Sequence, residues 1–377
     1  MSVSPKSVVV VGGGVIGTMH AYLAAQAGYQ VTQIERDLVP QSASVRNFGL
    51  IWVSGREAGA ELDIALRARE LWAEIGAQTR IGFRPQHSIT IAQTDVEFEV
   101  MSGATQLPDA GKRGFEMLSR KQILDLEPSL QGSYIGGLLC TRDAAVEPSM
   151  LLGGLRDSLT SNSLYQWIPN FEVVDFYHDE TGNHVTDING QKISSELIVF
   201  CPGAAHKGFL SEFFEGAALR KVHLQMGATE PLSPPLKYSI ADADSMRYYP
   251  AFKDLPLEKL PPQSALASEL KMQLLMVQRL DGSLTIGDTH DYVEPFNHEL
   301  LEAPYDHLTQ VMRNILGRQA PRIARRWDGV YSQCTNGDIY FRKEIAPGAV
   351  VVTGGGGRGN SISPAVAEET MIEWSRL

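Results

Sequence analysis

The sequence predicts an α/β protein in which a parallel-sheet domain, divided along the chain, carries an inserted antiparallel-sheet domain. Three observations predict it. Apolar, β-branched runs lie near both ends of the 377 residues, at Ser7–Val11 and Ala349–Thr353, and a third lies between them at 197–201. Strands buried on both faces read this way. Residues 221–290 alternate apolar with polar instead, the period of half-buried antiparallel strands. Glycine clusters follow the first and last apolar runs, at 12–17 and 354–357, each ahead of a helical segment.

In chain order, Ser7–Val11 is the first strand. Residues 18–27 have helical composition and stop at Gly28, a natural residue just past a helix end. Residues 29–34 form the second strand, closed by Glu35, and 40–47 are turn-rich. Leu62, Ala65, Leu66, Arg69 and Trp72 recur at helical spacing and predict a helix over 60–75. A strand at 88–92 and a helix at 120–126 follow, then a helix at 149–159 behind Glu147 and Pro148. Residues 171–176, 182–188 and 192–201 read as strands, and the proline-rich stretch 255–262 as an exposed loop on the antiparallel sheet. Helices are expected at 301–316 and 364–374. The expected division is 1–85, 145–220 and 325–377 in the parallel-sheet domain, with 86–144 and 221–324 in the inserted one.

Composition narrows the function. Hydrophobic residues make up 43% and charged residues 20%, the balance of a globular protein. The length exceeds one simple core, which supports two domains. A net charge of −11 repels nucleic acid and anionic membranes, so neither is an expected partner. No run approaches the roughly 20 apolar residues of a membrane helix, and Val8 to Val11 is too short for a signal segment. Cys140, Cys201 and Cys334 make no CxxC pair, hence no disulfide framework and no zinc site; a reducing, cytoplasmic setting is expected.

The segment 7–35 is a complete βαβ unit carrying GxGxxG at Gly12, Gly14 and Gly17, with Glu35 ending the second strand. Gly12 allows a tight turn, Gly14 lets a pyrophosphate approach the backbone, and Gly17 lets helix pack on strand. The helix N-terminus suits a diphosphate. Glu35 suits a ribose diol and repels a 2′-phosphate. This is a Rossmann-like dinucleotide site. A second glycine-rich loop, running from Gly354 through Arg358, Gly359, Asn360 and Ser361 into a helix, is unnecessary for NAD. It suits a flavin, whose pyrimidine edge becomes negative on reduction.

Through these motifs the chain resembles the D-amino-acid oxidase (DAO) superfamily of FAD-dependent oxidoreductases, which includes glycine and sarcosine oxidases. The resemblance is carried by residues 12–17, Glu35, 44–49, Val146 to Pro148, 201–204, Ile286 to Asp288 and 354–364. It implies a glutathione-reductase-type, DAO-like fold and FAD held non-covalently, since 327–330 lacks the cysteine that some relatives link to flavin. It implies that Gly12, Gly14 and Gly17 hold the pyrophosphate, Glu35 the ribose, and Val173 or Val174 the adenine. Ser44, Arg46, Asn47 and Gly49 would line the flavin, and Gly357, Arg358, Gly359 and Asn360 its pyrimidine edge. Val15, Ile16, Arg36, Gly203 and Ser361 complete the expected cofactor set. The run 43–52 is similar to a branch linked to bacterial phosphonate catabolism.

The resemblance implies oxidation of a C–N bond to an imine, hydrolysed to an aldehyde or keto product plus amine or ammonia, with oxygen or another electron acceptor. Tyr331 stands about where amino-acid oxidases of the family carry a carboxylate-binding arginine, and one neutral hydrogen bond is weaker than a bidentate ion pair. An aminoalkylphosphonate, such as 2-aminoethylphosphonate or its N-methyl derivative, is therefore the expected small anionic amine. Arg46, Arg247 and Arg358 are the candidate anion binders; His290, Tyr331, Arg247 and Tyr249 are the candidate catalytic set. A glycine/sarcosine/D-amino-acid oxidase, an NAD-dependent dehydrogenase and a non-catalytic flavoprotein that serves a larger assembly are the alternatives.

Overall fold

The computed structural model describes residues 6–376. Among them, Ser7–Val11 pairs in parallel with Gln30–Ile34 on one side and Leu197–Phe200 on the other, with Val10 opposite Gln33 and Val199. Ala349–Thr353 extends the sheet beyond Leu197–Phe200, Tyr165–Ile168 extends it beyond Gln30–Ile34, and the antiparallel strand Phe341–Ala346 closes one edge. The unbroken apolar runs are explained by the two faces. Val8 and Val10 pack with Met19, Trp72, Leu155 and Trp374, whereas Val9 packs on the other face with Ile34, Ile198, Phe200 and Val351.

A larger sheet has the order Ile323–Cys334, Leu219–Thr229, Leu284–Gly287, Leu275–Gln278, Ser239–Ala241, Ser88–Ala92, Gly136–Cys140, Phe115–Ser119. It is mixed and not wholly antiparallel, because Ser239–Ala241 runs parallel to Ser88–Ala92. The chain between them passes through the other sheet, and a long crossover can bring a strand back in the same direction. Leu219–Thr229 and Ile323–Cys334, which straddle the expected boundaries near 220 and 325, are neighbours over most of their length.

Several elements differ from expectation. The predicted strand 192–201 is two strands in two sheets, Lys192–Ser195 and Leu197–Phe200. Glu196 turns the chain between them: its carboxylate accepts from the Ser7 N–H at 2.9 Å, and its own N–H donates to Ser7 Oγ at 3.0 Å. The strand expected at 171–176 is Val173–Asp179. The first helix starts earlier, at Val15–Gln26.

The last helix spans Gly359–Trp374 with Pro364 inside it. Proline lacks an N–H and frees the carbonyl four residues back. That carbonyl, Asn360 O, accepts from the Trp72 indole N–H at 2.6 Å instead. The stretch 255–262 is not simply exposed. Glu258, Lys259 and Pro262 face solvent, but Leu255 and Leu260 are buried with Trp52, Tyr249 and Phe252. No helix among the described residues is long and apolar enough to cross a membrane.

Candidate functional site

The glycine turn is built as its residue types require. Gly12 has φ +120°, and a Cβ there would lie 2.6 Å from the Cys201 carbonyl oxygen. A Cβ on Gly17 would lie 2.1 Å from the Gly12 carbonyl, so helix and strand approach backbone to backbone. Gly14 differs: a Cβ there meets only Ser44 Oγ, at 3.1 Å. Val15 N–H donates to that Oγ at 2.9 Å, tying the short turn Ala43–Val45 to the helix N-terminus. Ile16, in the same first turn, packs against the core beneath. Glu35 accepts from Gly13 N–H at 2.6 Å and from Asp37 N–H at 3.1 Å, so its carboxylate is fixed at the mouth of the turn.

A cavity of about 580 Å³ opens beside this turn. It gathers Val15, Ser44, Arg46 and Asn47 from the N-terminal third, Arg247, Tyr249, His290 and Tyr331 from the large sheet and its loops, and Gly357, Arg358, Gly359 and Asn360 from the C-terminal glycine loop. Residues distant in sequence meet directly. Asn360 Nδ2 donates to Asn47 Oδ1 at 3.0 Å, and that same oxygen accepts from Gly49 N–H at 2.7 Å.

Other expected residues stand elsewhere. Gly49 is a packing glycine: at φ +78° its Cβ would lie 2.2 Å from Val146 O. Ser361 Oγ accepts from the Trp52 N–H at 2.8 Å, and Gly203 O accepts from Thr353 Oγ1 at 2.6 Å. Arg36 is half exposed and 3.6 Å from Asp37. Val173 packs in the cluster that holds Ile34, whereas Val174 is exposed.

Arg247 is not free to grip an anion. Its Nε donates to Asp244 at 3.0 Å, and its two terminal nitrogens donate to the Leu257 and Pro261 carbonyls at 3.3 and 2.5 Å. It holds the buried-leucine loop in place. Arg46 is similarly spent on Gln41 O at 2.7 Å and Asp328 O at 3.0 Å. Arg358 is placed otherwise. Its Nε donates to Gly355 O at 3.0 Å, and its Nη1 lies 3.2 Å from Glu61.

Arg56, Glu61, Tyr248, Lys271 and Gln273 are among the cavity residues that carry no local signal in the sequence. Arg56 is buried, lies over the Tyr249 ring at 5.5 Å, and shares the Glu61 carboxylate with Arg358, at 3.3 Å from it. Burial works against its charge and the Glu61 carboxylate opposes that shift. Glu61 reads in the sequence as one more acidic first-turn residue of Ala60–Gln78, and nothing nearby marks it as buried. The Tyr248 hydroxyl lies 3.2 Å from that of Tyr331, and its ring stacks on His290 at 4.1 Å. Burial holds both phenols above the usual tyrosine range, so they remain hydrogen-bond donors.

His290 Nδ1 faces the Lys271 carbonyl at 3.0 Å, which places a proton on that nitrogen, and Nε2 lies 3.7 Å from Asp288. Burial holds the Asp288 carboxyl above the ordinary carboxylate range, with His290 and Gln273 opposing. Six cationic side chains line the cavity, Arg46, Arg56, Arg220, Arg247, Lys271 and Arg358, against three carboxylates, Glu61, Asp244 and Asp288. The wall is therefore electropositive in a chain whose net charge is −11.

A glycine turn at a helix N-terminus, feeding a cationic cavity between a parallel sheet and a second large sheet, defines a dinucleotide-dependent enzyme. The chain belongs to the DAO family: the family's sequence profile, described as FAD dependent oxidoreductase, matches residues 7–371. It is an FAD-dependent oxidoreductase. A curated opine oxidase component from Agrobacterium tumefaciens (strain Ach5), one of that enzyme's subunits, is 23% identical over 367 residues, covering 91% of this chain and 86% of that protein. Its counterpart from Rhizobium meliloti is 24% identical over 168 residues, and that match covers 40% of this chain and only 44% of the relative. The solved glycine oxidase from Bacillus cereus ATCC 14579 superposes with a TM-score of 0.80 at 20% identity, over 98% of this chain and 95% of that one. That likeness shows the same fold.

The residues present fit FAD. Gly14 leaves room where a side chain would stand, and Gly357 meets only the Tyr331 ring at 3.6 Å and beyond. The buried Asn360 Oδ1 has no hydrogen-bond partner among the described residues. No cysteine among the described residues lines the cavity; Cys334 is buried against Gly354. Acid precipitation is therefore expected to release all flavin into the supernatant. Flavin that stays with the washed polypeptide would contradict this.

Proposed function

We propose that the protein oxidises the C–N bond of a small anionic primary or N-methyl amine, with an aminoalkylphosphonate such as 2-aminoethylphosphonate as the preferred substrate. One observation carries this reading: Arg56 and Arg358 share a single buried carboxylate, Glu61, which leaves one positive charge on the cavity wall uncompensated. A phosphonate carries nearly two charges and three acceptor oxygens, and two guanidinium forks match it better than a single hydrogen bond from Tyr331.

FAD supplies the two-electron acceptance that side chains lack. The side chains bind, orient and handle the proton. Arg56 and Arg358 hold the anion. Asp288 is, among the described residues, the one wall carboxylate that no lysine or arginine pairs with, so it is free to take the ammonium proton and leave a neutral amine. Tyr248 and Tyr331 offer phenol donors beside it. Arg247, at the cavity wall, pins the loop in which Leu255 and Leu260 are buried. The imine product then hydrolyses to aldehyde plus ammonia or methylamine, and oxygen or another acceptor takes the two electrons. Division of the chain into a cofactor-binding and a substrate-binding domain belongs to the same proposal.

The test is a visible spectrum of the FAD-loaded protein during anaerobic addition of 2-aminoethylphosphonate, its N-methyl derivative, glycine and sarcosine. Bleaching of the flavin bands by the phosphonates is expected. Bleaching by glycine or sarcosine alone would assign the protein to the amino-acid oxidases instead. A second reading is favoured by the names of the two opine oxidase relatives, each one component of an enzyme: the chain serves in a hetero-oligomer. Bound FAD that no amine bleaches in the isolated chain would decide for it.

A further inference from the structure

Outside the cavity, one cluster of side chains has no part in the proposed reaction. His223 sits on Leu219–Thr229 and Asp328 on Ile323–Cys334, where the register sets His223 opposite Val330 and Gln225 opposite Asp328. Residues two apart on a strand share a face, so the His223 and Asp328 side chains are diagonal neighbours. His298 arrives from the loop after Tyr292. Its Nδ1 lies 2.6 Å from Asp328 Oδ2, and His223 Nε2 lies 3.2 Å from the same oxygen. The three ligand atoms all fall within 4.8 Å of one another.

We propose that His223, His298 and Asp328 form a binding site for a divalent transition-metal ion of the zinc class. Two imidazoles and one carboxylate are ligands that zinc-type ions accept and that calcium and magnesium, which take oxygen ligands, do not favour. Three protein ligands leave the remaining position for water. The supporting contacts are of the kind a metal site needs around its ligands. Arg46 Nη1 lies 3.5 Å from Asp328 Oδ1, which directs the other oxygen, Oδ2, toward the histidines. The His223 backbone is fixed by a two-way pairing with Asp291, N–H to O at 2.9 and 2.8 Å. Its ring is stacked on Phe296 at 5.4 Å.

His223 is buried and His298 exposed, so a buried ligand is fixed while an outer one closes over the ion. Ligand atoms about 2.0–2.1 Å from a tetrahedral ion stand roughly 3.3 Å from one another. The distance from His223 to Asp328 already matches that spacing, and the exposed His298 ring would move away from the carboxylate to admit the ion. Bound metal would staple the 292–298 loop to the sheet through Asp328, the residue whose backbone carbonyl anchors Arg46 at the cavity rim. Binding would use the lone pairs on His223 Nε2 and His298 Nδ1.

The test is calorimetric titration of Zn²⁺ into the FAD-loaded protein after treatment with chelator. One Zn²⁺ per chain is expected. His298→Ala is expected to weaken it at least tenfold with the flavin spectrum unchanged, and Glu299→Ala, at an exposed neighbour, to leave it as it was. Absence of binding to the wild-type protein would overturn the site. So would an affinity that His298→Ala does not change, since the metal would then be held elsewhere.

Discussion

Gly14→Val is expected to give a folded protein that has lost FAD. The position is extended, at φ −69° and ψ 178°, so valine meets no backbone strain there. Its Cβ would meet only Ser44 Oγ at 3.1 Å, and moving that hydroxyl aside costs no more than its one hydrogen bond from Val15 N–H. The new side chain would stand where a pyrophosphate comes closest to the helix N-terminus. Displacing two charge-assisted hydrogen bonds, at roughly 1.5–3 kcal/mol each, weakens binding by about a hundredfold or more. Gly17→Ala separates the two effects. Its Cβ would fall 2.1 Å from the Gly12 carbonyl, so it should lose stability as well as cofactor. Thermal unfolding of the FAD-free proteins, together with their visible spectra, checks both. A yellow Gly14→Val protein would show that the pyrophosphate lies elsewhere.

Arg56→Met and Arg358→Met are expected to raise KM for an anionic amine about thirtyfold or more, and to change KM for a neutral analogue of the same size far less. Each arginine shares Glu61, so removing either leaves that carboxylate paired while deleting one of the two cations. Loss of one buried, charge-assisted contact costs about 2–5 kcal/mol, and about 1.4 kcal/mol is tenfold. Arg247→Met makes the contrast. Its guanidinium is occupied by Asp244 and two loop carbonyls, so its loss should loosen the loop and affect anionic and neutral substrates alike. Steady-state kinetics on the paired substrates decides. Equal losses in all three variants would make Arg56 and Arg358 structural.

The parts of this protein set by local chemistry can be read from the chain. Val8, Val9 and Val10 face two different cores, so no polar residue is tolerated between them, and the apolar run shows it. Gly12 and Gly17 are fixed by backbone clashes within one βαβ unit and its neighbouring strand, which any GxGxxG in that setting must avoid. The helix at Arg120–Leu126 begins with Ser119 and Gln122 bonding each other's backbone N–H, a signal contained within four residues.

Where sequence and structure part, the deciding partner is distant. Residues 192–201 read as one strand because the turn at Glu196 depends on Ser7. Pro364 reads as a helix start because the indole that donates to its orphaned carbonyl belongs to Trp72. Arg247 reads as an anion binder because the carbonyls that take its donors belong to Leu257 and Pro261, ten and more residues on.

The sequence by itself determined the dinucleotide turn and the two-sheet plan, because each follows from periodicity or from sterics among near neighbours, while the flavin-type family was legible through the resemblance its motifs carry. Only the tertiary structure decided which charges reach the cavity. An arginine or glutamate looks the same in the chain whether water, a carbonyl or another charge neutralises it. Bringing the buried pair Arg56 and Glu61 against the partly buried Arg358 is what makes three ordinary residues the proposed anion-binding wall.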